Sequence, residues 1–361
     1  MAAIAEELVT LVPLARGAIA VHTQVQLAGA VAGEGTLVRD DELADHLEAI
    51  EGSIGRIGGR WPDRVYMKID DLGCRNGGCD SVERRDDGEW VAYDVPAPRR
   101  LVGLHTDFLG GPDGRVFGVR TARALSVNEL SAIHEVAHDF TPADERRSAR
   151  VSAYKPPRPP PPRLDLLEGK GPAPPLPGEQ DIGALTMSAT GELFLVQAGA
   201  AYRAPPRATR WQPLVKPGAA DAPTAVRAVA VGPDARVHVL TDCAGSRSAI
   251  HRWDGAHWTR LPPVADGCVY NIAVADDGVL YATDDRLWRT RADDTWEPVP
   301  VRVKTRDGGV APLGAVDVLT RPGALWVSGC LETERTRCAV VTTLPVATVV
   351  DLGEVPGKTI L

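Results

Sequence analysis

No stretch of this 361-residue sequence offers the roughly 18 consecutive apolar residues that a membrane-spanning helix requires. No basic block stands out either, and the formal net charge is -8, which argues against phosphate backbones or anionic membranes as the main partner. A Walker loop, a nucleophile elbow and a dinucleotide fingerprint are all missing, so nucleotide chemistry has no support. An obvious secretory leader is missing too: Glu6 and Glu7 stand where positive charge belongs, and Pro13 and Arg16 interrupt the apolar run. Phenylalanine is scarce, with 4 residues against 8 Trp. What remains is 44% hydrophobic and 24% charged, a balance that builds a packed core and excludes wholesale disorder.

The Trp excess belongs to a repeat. Val65-Tyr66, Val116-Phe117, Leu193-Phe194, Val237-His238, Leu280-Tyr281 and Leu325-Trp326 each follow a tight-turn sequence such as Pro112-Asp113-Gly114 or Asp276-Asp277-Gly278. Their intervals are 51, 77, 44, 43 and 45 residues. Upstream of the turn, a second apolar run begins at Ile54, Ile182, Val226, Val269 or Leu313. Strand, turn and strand make a hairpin. Downstream, Val82-Glu83-Arg84, Ala201-Tyr202-Arg203, Ile250-His251-Arg252 and Leu287-Trp288-Arg289 precede a polar turn and then Trp90, Trp211, Trp258 or Trp296. These are a third and fourth strand, with Asp87-Gly88 and Asp254-Gly255 suited to two-residue turns. One unit is thus about 43 residues of three to four short antiparallel strands.

The two long intervals have visible causes: an extra loop from Cys74 to Cys79, and a segment from Lys155 to Gly178 that holds 10 of the 30 prolines. Proline cannot donate to a sheet ladder, so that segment is expected to be extended and unpaired. The Arg-flanked PxxP spacing at Lys155 to Arg163 also suits an SH3-type groove, with a rigid spacer as the plainer reading.

A four-stranded repeat of this length resembles β-propellers of the WD40-like and kelch-like kind, in particular degenerate bacterial propellers whose blades carry an aromatic after an Asp-Gly turn. The resemblance runs from Ile54 to Leu344, without a regular Gly-His to Trp-Asp frame and without paired kelch glycines. It implies an all-β propeller of six blades. A seventh, or a closing strand, is available from residues 1–50, where Ile19, Val21, Thr23, Val25 and Leu27 alternate and Leu43, Leu47 and Ile50 have helical spacing. The expected organisation is a leading segment at 1–50, two blades at 51–152, the Pro-rich insertion at 153–180, and four blades at 181–361. Val346 to Val350 is expected to help close the ring, since strands from both chain ends would remove exposed sheet edges.

The six cysteines are expected to pair as Cys74 with Cys79, Cys243 with Cys268, and Cys330 with Cys338, because each follows a second strand or opens a first strand on one face of the ring. Free thiols in a cytoplasmic protein are one alternative; a zinc site is another, disfavoured because no CxxC knuckle is present. Paired cysteines imply a periplasmic or extracellular protein.

One motif speaks for catalysis. His134-Glu135-Val136-Ala137-His138 matches HExxH, in which a helix presents two His to zinc and the Glu acts as general base. Ser126 with Glu129 forms a capping box, and Asp144 stands where a third ligand would fall. The same residues read equally as blade strands, with Ile133-His134 in the place of Ile250-His251 and Phe140 in that of Trp258. The repeated Arg84, Arg203, Arg252 and Arg289 allow a repeated sugar or anion site, against a plainer reading in which Trp rings fill the gaps between blades and Arg side chains cover them. Since the repeat accounts for nearly every unusual residue, the expected function is non-enzymatic binding or scaffolding of a protein or glycan, without cofactor, through the loop face or central channel. A zinc metallopeptidase using His134, Glu135, His138 and Asp144 is the alternative.

Overall fold

The computed structural model describes residues 10–22, 27–30, 38–40, 43, 46–47, 52–71, 81–94, 101–124, 160–180, 182–214, 223–244, 247–264, 267–304, 309–321, 324–331, 337–342 and 348–354. Within them the chain folds into seven consecutive antiparallel sheets, five with four strands, one with three and one with five. The seven inner strands are Thr10–Pro13, Gly52–Gly59, Leu101–Gly110, Ile182–Met187, Val226–Val231, Asn271–Val274 and Val310–Arg321. Each touches the next, and the last packs against the first, so the sheets are the blades of a closed propeller.

The six landmark pairs mark the second strands of blades two to seven: Val65–Asp71, Val116–Ala124, Leu193–Gln197, Val237–Thr241, Leu280–Thr283 and Ala324–Leu331. The hairpin before them recurs almost atom for atom. In Gly111–Arg115, Ser188–Glu192, Gly232–Arg236 and Ala275–Val279, the first N–H donates to the fifth carbonyl and the fourth N–H to the first, at 2.8–3.1 Å. The fourth residue takes a positive φ: 85° at Gly114, 82° at Gly191, 61° at Ala235 and 82° at Gly278. This is a type I turn closed by a left-handed residue, and it explains the turn glycines. The two-residue turn at Asp87-Gly88 has both φ angles positive, 51° and 96°. Asp254-Gly255 differs: it belongs to a four-residue turn in which Asp254 Oδ1 accepts the Ala256 and His257 N–H groups, each at 2.8 Å.

Apolar faces meet between blades. The Trp residues in or beside the fourth strands join apolar clusters that include side chains of the preceding blade: Trp90 that of Leu14 and Leu27, Trp211 that of Leu109 and Phe117, Trp258 that of Phe194 and Val196, and Trp296 that of Leu240 and Leu261. Bulges after Ile54, Ile182, Val226 and Ala315 kink four inner strands against their partners.

Three expectations change. The leading segment is a complete blade: Ile19–His22 and Leu27–Ala30 are two paired strands rather than one, flanked by Thr10–Pro13 and Val38–Arg39. The Pro-rich segment contains the third strand of blade three, Arg163–Glu168, which pairs with Val116–Arg120. No proline lies between Pro162 and Pro172, so those residues keep the N–H groups a ladder needs. Finally, among the described residues the two ends of the chain share no sheet. Thr348–Glu354 is the outer strand of blade seven, and the ring closes by packing of the first inner strand on the last.

At that closure Asp317 lies half-buried behind its bulge. Its Oδ2 accepts the Leu11 N–H of blade one at 3.0 Å, and its Oδ1 accepts the Val318 N–H at 2.8 Å and the Asn271 side-chain amide of blade six.

An alanine at position 278 meets no atom within 4 Å, so Gly278→Ala isolates the backbone cost of φ 82°. The expected loss is about 1 kcal/mol in urea unfolding, and an unchanged midpoint contradicts the turn assignment.

Candidate functional site

The antiparallel topology sorts the loops onto two faces. First-to-second and third-to-fourth turns emerge on one; second-to-third loops and the crossovers between blades emerge on the other. Cys243 and Cys268 are disulfide-bonded, with Cα atoms 5.5 Å apart, tying the second-to-third loop of blade five to the crossover into blade six. Cys330 is disulfide-bonded and lies opposite Cys338 in the ladder of blade seven, within strands rather than in a loop. Cys74 and Cys79 lie outside the described residues, as do His134, Glu135, His138 and Asp144. The strands on either side of the HExxH sequence are Val116–Ala124 and Arg163–Glu168, the second and third of blade three. The third-strand position given to Ile133-His134 is therefore held by Arg163–Glu168. Among the described residues no group of three His, Cys, Asp or Glu is placed to hold a metal ion.

The repeated Arg residues have a common partner that the spacing concealed. Each stands directly across the ladder from the landmark aromatic: Arg84 from Tyr66, Arg203 from Phe194, Arg252 from His238, and Arg289 from Tyr281. Instead of covering the fourth-strand Trp rings, the guanidinium groups pair with carboxylates, Arg84 with Asp86 at 2.5 Å, Arg203 with Glu192 at 3.9 Å and Arg289 with Glu297 at 2.5 Å, all inside one blade. Blade five departs from this twice. Its landmark aromatic is His238, and Arg252 reaches across to blade six, where it grips Asp294 through two bonds of 2.6 and 2.9 Å.

These departures line a cleft of about 310 Å³ on the turn face between blades five and six. Its walls are Asp234 and Arg236 from the first turn of blade five, Asp277 to Leu280 from the corresponding turn of blade six, and Thr290 to Asp294 from the last turn of blade six. His238, Arg252 and Leu261 complete it. Carboxylates hold the cations in place: Asp234 of the same turn pairs with Arg236 at 3.1 Å, and Glu297 of the last strand of blade six pairs with Arg291 at 2.8 Å. Asp277 accepts the Val279 N–H at 3.0 Å.

His238 is 5% exposed and its Nδ1 has no hydrogen-bond partner. Burial, and then the positive charge of Arg252, push its pKa down to about 4, so the ring is neutral at pH 7. A buried nitrogen without a partner costs about 1–3 kcal/mol. Blades three and four place Phe117 and Phe194 at the same point of the repeat and carry no such cost.

A histidine whose folded pKa lies below its unfolded value stabilises the fold fully above the unfolded pKa, and that stability is lost as pH falls. Between pH 6.5 and 4, His238 is expected to remove about 3 kcal/mol. His238→Phe is expected to gain about 1 kcal/mol at pH 7 and to flatten this part of the stability profile in urea titrations. An unchanged acid slope contradicts the burial of a neutral ring.

No protein-family model matches the chain, and no curated protein matches it in sequence. Solved structures do match in shape. One comes from a study of two prolyl endopeptidases, 15% identical over 97% of this chain and 50% of that one, with a TM-score of 0.51. This chain thus spans about half the length of that enzyme. Another is YCF48 bound to a D1 peptide, 13% identical over 89% and 90% of the two chains, with a TM-score of 0.48. A third is the six-bladed fungal lectin of Aleuria aurantia, 10% identical over 97% and 95%, with a TM-score of 0.36. At these identities a likeness is one of fold alone, and of these three only the prolyl endopeptidase structure exceeds a TM-score of 0.5.

Proposed function

We propose that this propeller is a non-enzymatic binding protein that engages a protein or glycan through its turn face, at the cleft between blades five and six. The observation that carries this reading is His238: a buried imidazole with an unmet hydrogen-bonding nitrogen, at a repeat position that blades two to four, six and seven fill with Tyr, Phe or Trp. Proteins keep such local costs where function needs them. The neighbouring ion pairs hold several donors and acceptors in fixed positions around one concave surface, which suits recognition. The experiment is capture on peptide and glycan arrays with labelled protein, followed by mass spectrometry of the captured ligand. Recovery of the intact ligand, with capture lost in Arg252→Gln, supports the reading. Capture unaffected by Arg252→Gln contradicts the site, and a cleaved ligand contradicts the absence of catalysis.

A periplasmic or extracellular location accompanies this proposal. Its support is the Cys243–Cys268 bond together with the bonded Cys330, since such bonds persist in oxidising compartments. Alkylation of the native protein without reductant is expected to leave Cys243, Cys268 and Cys330 unlabelled. Labelling at these positions removes the support.

A further inference from the structure

We infer that the blade five–six cleft selects an uncharged, polyhydroxylated ligand, that is, a neutral saccharide residue. The inference rests on the cleft being the binding site, and it concerns what chemistry that site accepts.

Charge balance gives the first reason. Three guanidinium groups line the cleft, Arg236, Arg252 and Arg291, and so do three carboxylates, Asp234, Asp277 and Asp294. Each cation already has a carboxylate at 2.6–3.1 Å. An anionic ligand would meet a carboxylate beside every one of these cations, and a cationic ligand would meet a guanidinium beside Asp234 and Asp294, while Asp277 is engaged by the Val279 N–H of its own turn. His238 does not alter the balance, because its ring stays neutral until well below pH 7.

Hydrogen-bonding capacity gives the second. In the Arg252–Asp294 pair two guanidinium N–H groups are used, leaving further donors, and each Asp294 oxygen keeps an acceptor site. The neutral imidazole of His238, which lines the cleft, has one donor and one acceptor nitrogen, and its solvent-shielded Nδ1 has no partner within the protein. A surface that alternates donors and acceptors at short range is matched by hydroxyl groups, since each hydroxyl both donates and accepts. A simple anion offers acceptors alone and an ammonium donors alone.

Shape gives the third. Leu261, Val279 and Leu280 contribute an aliphatic part of the wall, on which the C–H face of a sugar ring can lie. The volume of about 310 Å³ falls at the low end of the 300–1,000 Å³ typical of small-molecule sites, which suits a single saccharide unit rather than a folded partner.

The test uses the full chain and matched probes. The methyl glycosides of glucose, galactose, mannose, fucose and N-acetylglucosamine are titrated by ligand-observed NMR, alongside glucuronate and glucosamine as anionic and cationic congeners. The expected result is binding of at least one neutral glycoside. Charged congeners should bind at least tenfold more weakly, and His238→Phe and Asp294→Asn should each lose at least tenfold with no fall in melting temperature beyond a few degrees. Charged congeners binding as tightly as the neutral glycoside, or no neutral glycoside binding at all, overturns the saccharide inference. If array capture through Arg252 then still occurs with a peptide, the binding reading stands and only the ligand class falls. Neutral binding that both variants leave unchanged overturns the site itself.

Discussion

The carboxylate of Asp317 is the constraint on which the closed ring depends. Among the described residues every blade is made from one contiguous stretch of chain and no strand pairing joins the first blade to the last, so closure there comes from side chains and packing. Asp317 answers that need at one point. It accepts hydrogen bonds from Leu11 in blade one, from Asn271 in blade six and from its own strand, so three blades share one half-buried group. The bulge after Ala315 sets the register at which this carboxylate enters the strand. Burial raises its pKa, the usual consequence of removing a carboxylate from water, and the bonds from Leu11, Asn271 and Val318 oppose that rise.

Local repetition was legible in the sequence because it is encoded locally. A turn that needs a left-handed fourth residue writes itself as glycine at positions 114, 191 and 278, and the strand that follows begins with an aliphatic-aromatic pair. That is why the second strands could be read to within a residue. Proline counting failed at Arg163–Glu168 because the average over a Pro-rich window hid a proline-free run long enough to pair. The leading blade was legible only as alternation, since its second and third strands flank an interruption that alternation alone does not reveal. Ring closure was beyond reach: nothing in the residues around Asp317 announces that Leu11, 306 positions away, will donate to it.

The candidate site was half legible for the same reason. Spacing revealed the series of Arg residues, but the aromatic partners across the ladder emerge only from strand register, and the switch of Arg252 from its own blade to Asp294 only from the packing of two blades. A repeat protein offers its own control for such a reading. When one side chain recurs in several blades with the same partners, packing explains it. When one blade places a different kind of side chain at a repeat position and joins it to a cross-blade ion pair, the break calls for another cause, and His238 beside Arg252 and Asp294 is such a break.

Thermal unfolding of Asp317→Ala, followed by tryptophan fluorescence, tests ring closure most directly. The substitution leaves the Leu11 and Val318 N–H groups and the Asn271 amide without their acceptor, a loss on the order of 1–3 kcal/mol by the cost of unmet donors. The account predicts a fall of that size, with the Trp residues of blades two, four, five and six still reporting one transition at a lower temperature. A melting curve that coincides with the parent protein would contradict it.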